Sequence, residues 1–159
     1  MSFTHLHLAS GYSFKYGTTL PDFLVERAAE LGMSALALTD RDTLAGAIRF
    51  ATSCDERSIA PILGIDIAFL NEKRRITLLA TPGKGWSSLV NIMTALKEEP
   101  SQQCTIDFLR RNSHHTVNLL ALHGAESEIG YLVGTYRYKQ ARTDYDELRE
   151  IFQIGRAHV

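Results

Sequence analysis

At 159 residues, 45% of them hydrophobic, the chain can enclose one core of useful size and reads as an ordinary folded domain. Its 17 lysines and arginines against 18 aspartates and glutamates leave a net charge of −1, which excludes a global basic field of the kind nucleic-acid binding uses. No apolar run reaches membrane-spanning length, no charged-then-apolar leader precedes Phe3, and Cys54 and Cys104 form no CxxC pair, so a cytoplasmic, reducing setting is expected and a structural zinc site is not.

In chain order, residues 3–8 alternate polar and apolar and predict a strand, followed by a small, polar loop over 9–17. Thr19 is placed to cap a helix that carries Pro21 and Asp22 in its first turn, faces Leu24, Ala28 and Leu31 inward and stops at Gly32. A buried strand is expected over 35–38, and then a helix over 43–54 with Ala47, Phe50, Ala51 and Cys54 inside. Strands over 62–70 and 76–80 flank a turn at Asn71-Glu72. Helices are expected over 86–96 and, after Thr105, over 106–111; a buried strand over 117–122 and helices near 127–133 and 144–152 complete the pattern. Strands alternating with helices predict parallel βα units. The last six residues, Ile154-Gly-Arg-Ala-His-Val159, match the in-frame translation of a common sequencing adapter, so the domain is expected over 1–153 and a scar over 154–159.

Chemistry-bearing residues fall at strand ends. His5 and His7, two apart on the first expected strand, point to one side, and paired imidazoles on one face can bind zinc or manganese. Two polar residues on the wetter face of a strand would give the same spacing. Asp40 closes the next strand, Asp66 lies on the third and His123 closes a later one, so all would converge on the carboxyl-end face of a barrel.

The opening FTHLHLASGYS, the segment LVERAAELGMSALALTDRDTLAG with its Leu-Thr-Asp, and IAPILGIDIAF with its Gly-Ile-Asp resemble the amino-terminal PHP (polymerase and histidinol phosphatase) domain of bacterial DNA polymerase III alpha subunits and their error-prone relatives. The resemblance runs over residues 3–129. It implies a distorted (β/α) barrel, here incomplete at its carboxyl end, and a site where active members of the family carry metal-binding histidines and acids. Carried over position by position, His7 matches the first ligand histidine, but its partner two residues on is Ala9. The acid ahead of the loop glycine is replaced by Tyr16, and the histidine after Thr-Asp by Arg41. The acid of the third strand survives as Asp66, a histidine ahead of the Leu-Leu-Ala strand falls near Arg75, and a later ligand falls near Ala125, two residues from His123. The family's final ligands would lie past the end.

Arg41 is the telling change. A guanidinium has no lone pair to donate, is not deprotonated, and beside Asp40, Asp42 or Asp66 would neutralise a carboxylate in a metal's place. The expectation is therefore a vestigial, catalytically silent site of His5, His7, Asp40, Arg41, Asp66 and His123, without a metal cofactor; any metal retained would fall to His5, His7, Asp66 and His123. The mild alternative has Arg41, His5 and His7 gripping a phosphate. Lys73-Arg74-Arg75 reads as a solvated hairpin edge, and His114-His115 as surface.

The resemblance implies a DNA-directed DNA polymerase parent, in replication or damage bypass, whose later domains are the partners of this one and through which it meets DNA. Two rivals stand beside it: a stand-alone metal-dependent phosphoesterase of the histidinol-phosphatase type, and a protein-interaction module.

Overall fold

The computed structural model describes residues 3–152, with the side chain of Glu72 set aside. The chain divides into two compact units, Met1–Asp66 and Ile67–Val159. Its helices and strands are α1 (Pro21–Glu30), β1 (Ala35–Arg41), α2 (Ala47–Glu56), β2 (Ala60–Phe69), β3 (Asn71–Ala80), α3 (Gly85–Glu98), α4 (Ile106–Arg111), α5 (Ser113–Thr116), β4 (Leu119–Leu122), α6 (Glu128–Gly134) and α7 (Tyr138–Phe152). β1 pairs with β2 and β3 pairs with β4.

In the first unit, β1 and β2 run parallel, joined through α2, with Ala35 opposite Ala60 and Arg41 opposite Asp66. Leu36 through Asp40 are all buried, as expected where both faces of a parallel strand are covered. The core gathers Val25, Ala28, Leu36, Leu38, Phe50, Cys54 and Ile59, with Leu8, Met33 and Leu63 against them. α1 begins on Pro21, whose missing N–H is no loss in a first turn, and ends on Gly32 at φ +68°, where the Gly32 N–H meets Ala29 O and the Met33 N–H meets Ala28 O. Its N-cap is Leu20 with no side-chain bond, so Thr19 is not the cap, and Pro21, Val25 and Ala28 form its buried face in place of Leu24 and Leu31, the latter 56% exposed.

Residues 3–8 correct the expectation of a first strand. They lie along β1 without forming a regular ladder: the Ala37 N–H bonds to His5 O and the Thr39 N–H to Leu8 O. A three-residue step on one side thus spans a two-residue step on the other. The Leu8 N–H goes instead to Thr39 Oγ1. The extra residue breaks the alternation on which the shared face of His5 and His7 depended.

In the second unit β3 and β4 are antiparallel, with Ala80 opposite Leu119 and Thr77 opposite Leu122. The chain leaves β3 at Ala80, passes through α3, α4 and α5, and re-enters at the end it left, so alternation of strand and helix did not imply a parallel pair here. The turn expected at Asn71-Glu72 falls one residue earlier, at Leu70 (φ +63°), and both residues belong to β3. The expected strand at 117–122 shortens to β4, with Val117 45% and Leu120 48% exposed. Thr105 does cap α4, accepting from the Phe108 N–H, and Ser127 caps α6 through the Gly130 N–H. Leu78, Leu89, Ile92, Phe108, Leu109, Leu119, Leu132 and Leu148 are buried. The architecture is a mixed α/β fold; four strands do not show a closed barrel. The scar expected at 154–159 lies outside the described residues.

Candidate functional site

The site is built at the carboxyl end of β1, within the first unit. Asp40 is buried, and its carboxylate is the anchor of the preceding loop: Oδ1 accepts from the Ser10 N–H at 2.6 Å and from Ser13 Oγ at 2.7 Å, and Oδ2 accepts from Ser10 Oγ at 2.8 Å. Ser13 Oγ in turn accepts from the Arg41 N–H at 2.9 Å, and Ser10 Oγ from the Tyr12 N–H at 3.2 Å. The loop is tied to itself as well. The Gly17 N–H bonds to Ser13 O, the Gly11 N–H to Thr19 O, and a Cβ at Gly17 would lie 1.9 Å from Ser10 O. Only glycine permits that crossing.

A loop held this firmly positions its aromatic side chain. The Tyr16 ring lies against the Arg41 guanidinium, 3.4 Å from Cζ to the ring centroid. On its other side Arg41 meets Asp66: Nε is 3.4 Å from Oδ2. The parallel register that sets Arg41 opposite Asp66 makes this pairing the product of the strand alignment itself. Asp66 is fully buried, and His7 Nε2 stands 3.8 Å from the same Oδ2. Asp42, at φ +55°, turns its N–H to Asp66 O. Asp66 is thus the carboxylate that Arg41 meets.

Of the six residues expected at the site, four come together here: Asp40 under the loop, and His7, Arg41 and Asp66 around one buried carboxylate. His5 does not join them; it is exposed and meets the Phe3 ring edge-on at 4.8 Å. His123 belongs to the second unit, just past β4, half-buried, with Nε2 shielded from water and, among the described residues, without a hydrogen-bond partner; burial pushes its imidazole below the usual histidine value. Ser10 and Ser13 were missed. Their signal was only a small, polar loop before Gly17, and serines in such a loop say nothing of a buried acid thirty residues on. The basic triplet is also corrected: Lys73 is exposed, but Arg74 pairs with Glu128 at 3.2 Å and lies over the Tyr131 ring, and Arg75 is buried with its N–H on Glu126 O.

The set does not fit a bound divalent metal. Asp66, the acid best placed to ligate one, faces a guanidinium, and among the described residues no three histidine, cysteine, aspartate or glutamate side chains are placed to share an ion. A cation fixed against the acid opposes a second cation there.

A buried strand-end acid, a loop folded upon it and a parallel βα frame define an α/β domain whose polar groups gather at a strand end. Residues 5–159 match the PHP domain, and the chain belongs to that family. It is 37% identical over 161 aligned residues to an error-prone DNA polymerase of Symbiobacterium thermophilum, covering 89% of this chain and 14% of that one. It is 36% identical over 97 residues to a DNA polymerase III subunit alpha of Buchnera aphidicola, covering 58% of this chain and 8% of that one. The chain therefore spans a small part of the length of these relatives. Among solved structures, an amidohydrolase from Chromobacterium violaceum overlaps 90% of this chain and 54% of its own at 19% identity, with a TM-score of 0.46, too low to carry an argument. Among the described residues no helix is long and apolar enough to cross a membrane.

Proposed function

We propose that this chain is the PHP segment of a DNA polymerase III alpha-type or error-prone polymerase in which the ancestral metal pocket has become a salt-bridged brace. The observation that carries the reading is the Arg41–Asp66 contact under the Tyr16 ring. In this reading Arg41 supplies, as a fixed organic cation, the charge a metal would supply to Asp66, and Asp40 locks the loop that holds Arg41 in place. A guanidinium can neither activate a water nor leave the pocket, so the domain contributes rigidity to its parent and no hydrolysis. DNA is met through the parent chain, whose later polymerase domains are this domain's partners, and the setting is cytoplasmic. The relatives' names, polymerases many times longer than this chain, support that assignment.

Elemental analysis of the purified protein, with a phosphomonoesterase assay in added manganese and zinc, tests the reading. Substoichiometric metal and no turnover are expected. Stoichiometric, tightly held metal together with hydrolysis abolished by His7→Ala would replace it with the metal-dependent phosphoesterase. Reading the genomic frame beyond Phe152 tests the parent separately: polymerase motifs are expected, and a stop soon after would remove the polymerase assignment.

A further inference from the structure

α1 and α6 are closed by the same device, with different residues in the critical place. At α1 the left-handed position is Gly32. At α6 it is Tyr136, at φ +61°: the Tyr136 N–H bonds to Val133 O at 3.1 Å and the Arg137 N–H to Leu132 O at 2.8 Å. This motif favours glycine because the Cβ of any other residue crowds the backbone in the left-handed region. Tyrosine raises the energy of that turn and recovers little by burial, since the residue is 80% exposed. Such an outlier points toward a role outside packing.

The surroundings say which role. The ring of Tyr138, 57% exposed, stands edge-on to Tyr136 with centroids 6.1 Å apart. Arg137 and Lys139 alternate with the two tyrosines, Arg142 follows one helical turn beyond Tyr138, and no aspartate or glutamate occurs from 129 to 143. Residues 133–140 are all exposed. α7 buries Ala141, Leu148, Ile151 and Phe152, so these side chains lie off its core face. Arg142 pairs with Asp146 at 2.9 Å, but the pair is exposed and weak enough for a phosphate to displace. From 134 to 140 there is no leucine, isoleucine, valine or phenylalanine to enter a membrane or an apolar groove.

We infer that Tyr136, Arg137, Tyr138, Lys139 and Arg142 form a binding patch for single-stranded nucleic acid. Unstacked bases lie on the open faces of Tyr136 and Tyr138, and the cations between them meet the phosphates. Acidic peptides would use the cations and leave both rings idle; a duplex keeps its bases stacked out of reach. The inference lies wholly in the second unit and is independent of the Arg41 pocket.

The test is fluorescence anisotropy of a labelled oligothymidine with the full chain, at low and raised salt. Wild type should bind at low salt, more tightly than a matched duplex, with affinity falling as salt rises. Tyr136→Gly suits the left-handed turn, so its melting temperature should hold or rise while affinity falls about 5- to 160-fold, the range of one base–aromatic stack. Arg137→Gln with Lys139→Gln should flatten the slope of log K against log salt by roughly 1.4, from about 0.7 per lost phosphate contact. Lys97→Gln, exposed on α3, should change neither. The inference is overturned if wild type does not bind, if the duplex binds as tightly, or if Tyr136→Gly binds undiminished. It is equally overturned if Tyr136→Gly alters sedimentation and not oligonucleotide affinity, the sign of a protein contact.

Discussion

Arg41→Ala removes the cation nearest a fully buried carboxylate. At the 3.4 Å between Arg41 Nε and Asp66 Oδ2, the gross attraction is about 5 kcal/mol for an effective dielectric of about 20. Most of that is offset in the folded protein by the desolvation of both charges. Arg41 keeps 24% of its side chain in contact with solvent, so water can enter part of the vacated space. Lost stacking on Tyr16 works in the other direction, adding about 0.5–1 kcal/mol. The net expectation is a loss of roughly 1–3 kcal/mol, below the 3–5 kcal/mol typical of a pair buried on both sides. For a chain of this size that corresponds to a fall in Tm of about 3–10 °C. The assay is thermal and urea denaturation of wild type, Arg41→Ala, Asp66→Asn and the double variant. Nonadditivity above about 1 kcal/mol is expected in the cycle. A loss below about 0.5 kcal/mol for Arg41→Ala, or strict additivity, would refute the brace and return Arg41 to the role of a substrate-gripping arginine.

Asp40→Asn leaves an amide where three donors converge, and should cost about 2–3 kcal/mol in the urea midpoint and m-value analysis while leaving the Cys54 environment intact. The depressed value of His123 has a pH signature. An unfolded chain takes up its proton near 6.5 and the folded one only lower, so this contribution to stability is complete above about pH 6.5 and is lost as pH falls through the folded value. Comparing urea midpoints at neutral and mildly acid pH, His123→Leu should show a smaller acid loss than wild type; His115, also depressed by burial, retains its own share in both proteins. Cys54 is pushed up to about 11 by burial from 9.0 in an unfolded chain, so its contribution is present below pH 9 and falls away as pH rises toward 11. With Cys104 also buried, a thiol reagent at pH 8 should find neither cysteine until denaturant is added, then both.

What the sequence disclosed and what it hid divide along the range of the interactions involved. Helix ends set by a few neighbours were legible: Thr105 before α4 and Gly32 after α1 each act within four residues, whereas Ser127, expected within a helix over 127–133, is the cap of α6. Strand existence was legible from short apolar runs, as at β1 and β2. Strand direction was not, because the pairing of β3 with β4 depends on how three helices return the chain. The missing first strand failed for a finer reason. Residues 3–8 have the right alternation, but Thr39 offers its hydroxyl to the Leu8 N–H and displaces the ladder by one residue. That single displacement also separates His5 from His7, so a motif two letters apart was the weakest part of the site.

The durable part of the site was the pair that rests on register. Arg41 and Asp66 are twenty-five positions apart, and no local rule links them. Two features made the pairing readable: Arg41 ends the apolar run of β1 while Asp66 lies on β2, and two parallel strands joined by one helix run side by side toward the same end. Residue type then narrowed the chemistry, since a guanidinium beside a buried acid supplies it with a fixed positive charge and offers no lone pair. The loop serines escaped notice because their role is set by Asp40 and not by their own neighbours. A buried acid at a strand end needs donors, and the nearest loop supplied them through Ser10 and Ser13. Asp40 should therefore govern the order of that loop, and through Tyr16 the seat of Arg41, so that Asp40→Asn and Arg41→Ala share part of their cost and fall short of additivity in combination.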